Sequence, residues 1–276
     1  MKTEEHPAFT TEGIFIVEWN GETAGMVHAY VDKLREDQKG FIQSLGVLPE
    51  FRGKGIARKL VENAIESLKQ RGMKLADAWA QTDREACIHL FESFGFKQVR
   101  ATSMMKRALS NTPSDTGENE EISTREMRLK DDNDIALANR LENEAFKEHF
   151  NFRLRTIEET KYTLQEIPWF QDQAGLFALL GGQPVGYVIT GIDEGLNKEK
   201  NLKYGWILDI GVLKPYRRRR IGTSLMLGAM QRLKDQGMED AVLYVDDMNP
   251  TGAFRLYEKL GFKVARKSII YQLKIG

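Results

Sequence analysis

The chain of 276 residues has one cysteine, no net charge and no long apolar run. A lone Cys87 excludes an internal disulfide and fits a reducing compartment; within an amphipathic stretch it reads as a small packing residue. Forty Lys plus Arg balance forty Asp plus Glu, so no overall field draws the molecule to nucleic acid or to an anionic membrane, and any basic patch must be local. No segment approaches the ~20 consecutive apolar residues that span a bilayer, and the opening MKTEEHPAFTTEG has no signal-peptide core. The expectation is a cytoplasmic protein with no membrane or nucleic-acid partner.

Apolar residues are also scarce between Ala108 and Thr124, where ALSNTPSDTGENEEIST reads as a solvated linker. The chain is long enough for two ordinary domains, predicted here at 1–107 and 125–276 with the linker at 108–124. On either side of the linker one pattern is written twice. At an offset of 165, Gly46-Val47-Leu48 matches Gly211-Val212-Leu213, Arg52 matches Arg217, Ile56 matches Ile221, and Leu60, Ala64 and Leu68 match Leu225, Ala229 and Leu233. After a slip of one residue, LFESFGFK from Leu90 matches LYEKLGFK from Leu256. So many ordered matches indicate tandem duplication.

Periodicity changes in the same order in each copy. Two strand-like runs flank a tight-turn pair, Asn20-Gly21 or Gly181-Gly182. A short buried strand follows (FIQSLGVL; GWILDIGVL), then a loop, an amphipathic helix ending near Gly72 or Gly237, a further strand, a second helix and a last strand. Each copy is therefore a mixed α/β unit centred on strand, loop and helix. About fifty residues precede the second strand pair and only a dozen precede the first, so the first copy is expected to lack an opening strand and two helices.

A strand that enters a tight loop and then a helix gathers free backbone N–H groups at the positive end of the helix dipole, which suits phosphate. In the first copy the loop is Arg52-Gly53-Lys54-Gly55-Ile56-Ala57; its glycines permit close backbone approach and Arg52 and Lys54 add charge. In the second it is Arg217-Arg218-Arg219-Arg220-Ile221-Gly222. If the fourth position needs φ > 0, arginine there weakens anion binding; if it takes an ordinary helical residue, Arg220 adds a contact. The four arginines have no interleaved aromatics and no basic domain around them, which argues against a nucleic-acid site.

Strand, R-x-x-G-x-A loop, amphipathic helix, and a later NPTGAFRLYEKLGF resemble the GNAT superfamily of acyl-CoA-dependent N-acyltransferases. The tandem arrangement, with NEAFKEHFNFR before the second strand pair, is similar to the mycothiol synthase subfamily. The resemblance covers both copies and implies acetyl-CoA as cofactor, with a small-molecule or protein amine as acceptor. It places the CoA pyrophosphate on the two loops, and the thioester carbonyl beside the central strands at Leu45, Gly46 and Val47 or Ile210, Gly211 and Val212. Asn249, ahead of the last helix, then either touches the cofactor or caps that helix.

By the same resemblance, the tyrosine of the L-Y-x-x-x-G-F motif protonates the leaving thiolate: Tyr257 in the second copy, replaced by Phe91 in the first. A carboxylate on the central strand deprotonates the amine: Asp209 in the second copy, aligned with Ser44 in the first. Packing alone also accounts for an aromatic at 257, and a strand aspartate is also held by arginine or backbone. His149, Glu144 and Arg153 lie on the segment bordering the acceptor side. The implied division is a catalytic second copy and a first copy that binds CoA structurally or as a regulator; the alternative is a non-catalytic acyl-CoA-binding protein.

Overall fold

A computed structural model of the protein describes residues 10–111, 121–167 and 170–276. In chain order its elements are β1 (Ile14–Trp19), β2 (Glu22–Val31), β3 (Lys39–Val47), α1 (Ile56–Gln70), β4 (Leu75–Gln81), α2 (Glu85–Ser93), β5 (Lys97–Ala108), β6 (Ile122–Glu126), α3 (Asp132–Ala145), α4 (Ile157–Gln165), β7 (Gln171–Leu180), β8 (Gln183–Ile192), α5 (Glu194–Lys200), β9 (Tyr204–Val212), α6 (Ile221–Asp235), β10 (Asp240–Asp246), α7 (Ala253–Lys259) and β11 (Lys263–Lys274). Backbone contacts group these into an N-terminal unit, residues 10–102 together with Arg266–Gly276, and a C-terminal unit, Ser103–Ala265.

Both units are mixed α/β sheets with helices, and the duplication is visible element by element. β3 and β9 each have 9 residues, α1 and α6 each 15, β4 and β10 each 7, and β5 and β11 each 12. The matched residues are the core. Leu60, Ala64 and Leu68 of α1 and Leu225, Ala229 and Leu233 of α6 are at most 1% exposed, because the i, i+4, i+8 spacing places one stripe against the sheet. Each central strand opens with a glycine that admits the last of these leucines. A Cβ on Gly40 would lie 2.4 Å from Leu68, and one on Gly205 would lie 2.6 Å from Leu233.

The turn pairs take the left-handed conformations that two-residue hairpin loops require. Asn20 and Gly21 have φ 52° and 85°, and Gly181 and Gly182 have φ 56° and 81°. Among the described residues, the N-terminal unit has no counterpart of β6, α3 and α4.

The last strands are shared in a way chain order does not reveal. In the N-terminal unit the sheet runs β1-β2-β3-β4, and its next strand is the far half of β11, which pairs antiparallel with β4 from Ser268 opposite Gln81 to Lys274 opposite Leu75. Tyr271 and Ile275 are buried in that unit's core. In the C-terminal unit the sheet runs β6-β7-β8-β9-β10 and then the far half of β5, whose Met105 enters the core there, followed by Leu109. Strand membership follows ladder hydrogen bonds and side-chain burial, so the two strands are exchanged between sequence repeats. Of the linker read at 108–124, residues 112–120 lie outside the described residues; Leu109 before them is buried and Ile122–Thr124 after them belong to β6.

Candidate functional site

The central strands of the C-terminal unit part company halfway. β9 and β10 run parallel and pair only at Tyr204–Trp206 with Asp240–Val242. Beyond that point β9 continues on β8 as far as Val212, while its other edge and the end of β10 line a cleft of about 1150 Å³. An exposed strand edge offers a row of backbone N–H and C=O groups to whatever enters. The cleft is lined by Ile210, Gly211 and Val212 of β9, by Arg217, Arg218, Arg220, Ile221 and Gly222 of the loop, and by Asp209, Asn249 and Tyr257. Arg219 lies outside it, with its guanidinium 6.0 Å from the Tyr216 ring. Nearly all residues expected from the second copy therefore meet in one place.

The loop uses positive φ at two positions in each copy. Gly53 and Gly55 have φ 75° and 78°, and Arg218 and Arg220 both have φ 66°. The fourth position does take φ > 0, but the expected weakening need not follow. The second loop reaches the glycine conformation with arginines at a cost of about 1–2 kcal/mol per residue that falls on folding, and Arg220 still lines the cleft. A Cβ on Gly53 or Gly55 would meet nothing within 4 Å, so the cost is in the backbone and involves no clash. Arg220 N-caps α6, and the first helical bond is from Ser224 to Arg220, so the N–H groups of Ile221, Gly222 and Thr223 precede it.

Arg217 has its guanidinium engaged inside the protein. Nε donates to Val212 O at 3.0 Å, Nη2 to Ala145 O at 2.9 Å and Nη1 to Glu148 at 3.3 Å, which ties the end of β9 to the end of α3. Arg52 makes the corresponding bond, Nε to Val47 O at 3.1 Å. The Lys54 ammonium lies over the rings of Trp19 and Phe51 at 5.0 and 5.2 Å.

Asp209 owes its place to a bulge. Ile189 pairs with Asp209 but Thr190 pairs with Ile207, which leaves Leu208 as an extra residue and re-aims the strand. The fully buried Tyr187 of β8 donates its hydroxyl to Asp209 Oδ2 at 2.6 Å. Asp209 keeps some accessible surface toward the cleft yet is densely surrounded by protein. Burial pushes its carboxyl up, against the opposing pull of the Tyr187 bond and of Arg155. Glu142 of α3 stands in the same field. Burial and the Asp209 charge push it up to about 7, although Arg155 Nη1 is 3.0 Å from its Oε1. Sequence reading missed Tyr187, Glu142 and Arg155. None belongs to a motif, and only the fold brings β8, α3 and the α3–α4 connection onto β9.

Tyr257 is 6% exposed on α7, packs against Phe262 with ring centroids 6.1 Å apart, and has no hydrogen-bond partner for its hydroxyl among the described residues. Burial and the Asp209 charge hold its proton on well above the usual range. Of the three acceptor-side residues, only His149 reaches the cleft; burial and Arg217 lower its pKa. Glu144 pairs with Lys147 outside the cleft, and Arg153 pairs with Glu159 beside the capping box of α4. Asn249 Oδ1 accepts from Thr251 N at 2.9 Å and Thr251 Oγ1 at 2.6 Å, a turn that leads into α7, whose N-cap is Gly252.

The N-terminal unit repeats the splay with different chemistry. β3 pairs with β4 only from Lys39–Leu75 to Ile42–Ala78, and Leu45, Gly46 and Val47 lie beyond. Its bulge carries Ser44 at φ 55°, in the place of Asp209. Phe91, in the place of Tyr257, is 1% exposed.

The acetyltransferase (GNAT) family matches the chain at residues 2–96 and 137–262, one match per repeat and together most of its length. The chain belongs to the GNAT acetyltransferase family. Curated relatives agree. A mycothiol acetyltransferase of Thermobispora bispora is 33% identical over 83% of this chain and 74% of its own, and one of Thermobifida fusca is 26% identical over 82% and 72%. Among solved structures, a tandem GNAT protein from the clavulanic acid biosynthesis pathway superposes with TM-score 0.74 at 16% identity over 97% of this chain and 85% of that one. A GCN5-related N-acetyltransferase from Sphaerobacter thermophilus gives 0.72 at 22% over 99% and 84%. At these identities the structures speak for the fold alone.

GNAT acetyltransferases use acetyl-CoA; the C-terminal cleft combines an unpaired strand edge, which offers amide partners, with a helix N-terminus flanked by arginines, which suits anions. Among the described residues no helix is long and apolar enough to cross a membrane, and no cluster of ligands suits a metal ion.

Proposed function

We propose that the protein acetylates the amine of a small molecule and that the chemistry belongs to the C-terminal unit. The observation that carries this reading is the convergence of Asp209 and Tyr257 on one cleft, where the N-terminal unit has Ser44 and Phe91. Acetyl-CoA supplies the acetyl thioester. The N–H groups at the start of α6, with Arg218 and Arg220, would hold its pyrophosphate, while Arg217 shapes the loop. The β9 edge at Ile210–Val212 would supply backbone partners for its amides and a donor for the developing carbonyl charge. Asp209 takes a proton from the acceptor's ammonium at its carboxylate, and Tyr257 holds at Oη the proton that the departing sulfur needs. In the N-terminal unit, Arg52–Ala57 and Leu45–Val47 would hold a second CoA with no chemistry attached.

The curated relatives' name, mycothiol acetyltransferase, favours an amine-bearing thiol conjugate as acceptor. Release of free thiol from acetyl-CoA, measured on addition of de-acetylated mycothiol and of a panel of small amines, tests the reading. Saturable release with an acetylated product supports it. Tight acetyl-CoA binding with no transfer to any amine overturns it in favour of a binding protein.

A further inference from the structure

We propose that Tyr187 is a positioning residue for acetyl transfer: its hydroxyl fixes the Asp209 carboxylate at the wall of the C-terminal cleft, ready for the acceptor's ammonium. This rests on Asp209 being the base, and it adds a partner that no motif contains.

The contact is direct. Tyr187 Oη donates to Asp209 Oδ2 at 2.6 Å from a residue that is 0% exposed, while Asp209 lines the cleft. The ring reaches the carboxylate by lying across β9. Tyr187 pairs with Gly211, two residues beyond Asp209, and a Cβ on Gly211 would fall 2.7 Å from Tyr187 Cε1 and 3.0 Å from the Ala145 Cβ of α3. Glycine at 211 therefore leaves the space that the ring occupies. A ring so enclosed holds one place, and its hydroxyl is a fixed point for the short strand carboxylate.

The N-terminal unit has the glycine without the pair. At the same register Met26 pairs with Gly46, Met26 is 39% exposed, a Cβ on Gly46 would meet nothing within 4 Å, and Ser44 stands in place of Asp209. Tyrosine and aspartate are present together in one repeat and absent together in the other. Burial under α3 accounts for a large ring at 187, but phenylalanine would fill that space; Asp209 accounts for the hydroxyl.

The charged and titratable groups facing Asp209 are Tyr187 from β8, Glu142 from α3, Arg155 from the α3–α4 connection and Tyr257 from α7. Burial raises the carboxyl's pKa, and the Tyr187 bond opposes that rise, together with Arg155 and the Ile210 N–H. Burial and the Asp209 charge hold the Tyr187 proton on, so the phenol remains a donor. In the transfer, the acceptor's ammonium N–H bond breaks as an O–H bond forms on Asp209. The nitrogen keeps the electron pair, the proton then passes to water, and Tyr187 gives up none.

The test measures kcat/KM for acetyl transfer against pH, with acetyl-CoA affinity, in the full-length protein and in Tyr187→Phe, Asp209→Asn and the double variant. Tyr187→Phe removes a donor to the charged carboxylate, so the acid limb is expected to move about one pH unit to higher pH with acetyl-CoA affinity unchanged. In the Asp209→Asn background the same change is expected to alter the residual rate by about twofold at most, because the group it serves is gone. A fluorinated tyrosine at position 187, a stronger donor of nearly the same shape, is expected to move the limb to lower pH, and it keeps the test decisive should Tyr187→Phe not fold. An acid limb that stays in place in these variants, or an equal loss from Tyr187→Phe in both backgrounds, overturns the proposal even where Asp209→Asn is inactive. A fully active Asp209→Asn instead removes the base assignment, and the proposal with it.

Discussion

Arg220 and Gly55 hold the same left-handed backbone, φ 66° and 78° with ψ 0° in both, at the N-caps of α6 and α1. A non-glycine residue there carries a penalty of about 1–2 kcal/mol, partly offset by the chain entropy that glycine loses on folding. Arg220→Gly is therefore expected to raise unfolding stability by about 0.5–1 kcal/mol in a urea titration and to weaken acetyl-CoA binding by removing a cleft cation. Unchanged or lower stability contradicts the strain.

Asp134 is a buried acid of the C-terminal unit held by two arginines. Arg125 meets it through Nη1 and Nη2 at 2.8 and 2.7 Å, Arg128 N donates at 2.8 Å, and the carboxylate side chain is 2% exposed. These contacts hold its pKa far below the usual carboxylate range. A depressed folded-state pKa gives stability that is present above the unfolded value, about 4, and is lost as pH falls below it. Asp134→Asn is expected to cost about 1.5–3 kcal/mol at pH 7, and the gap to wild type should close as the pH drops below about 4. A gap independent of pH contradicts the assignment.

The exchanged strands make a prediction about truncation. Without Arg266–Gly276, β4 loses its partner from Ser268 to Lys274, Asp77 loses the 2.8 Å bond from Gln272, and the N-terminal core loses Tyr271 and Ile275. A chain ending at Ala265 should show hydrogen-exchange protection lost in β4 and α1 and kept in β9 and α6. Equal protection in β4 with and without the segment contradicts the exchange.

The repeat, the order of elements and the hairpin turns were all legible in the sequence, because each rests on local periodicity or on turn residues. So was the meeting of Asp209, Tyr257 and the arginine loop, which the repeat and the family motif bring to the end of one strand. Three features were not. The bulge at Leu208 that aims Asp209 depends on a register set by β8. The destinations of β5 and β11 depend on ladders between residues far apart in the chain. The Glu142, Arg155 and Tyr187 surroundings depend on helix placement over the sheet. Arg217 illustrates the limit: the repeat places it in the loop opposite Arg52, and only the fold shows its side chain tying Val212 to Ala145.

The proposed function makes Tyr257 the proton donor and the C-terminal cleft the site with chemistry. Tyr257→Phe keeps the ring that Phe91 shows to be compatible with the fold, so it removes the hydroxyl alone. The deciding measurement is steady-state acetyl transfer by Tyr257→Phe beside acetyl-CoA affinity by calorimetry. The prediction is a kcat about 100-fold or more below wild type with affinity unchanged; a kcat within twofold of wild type contradicts it.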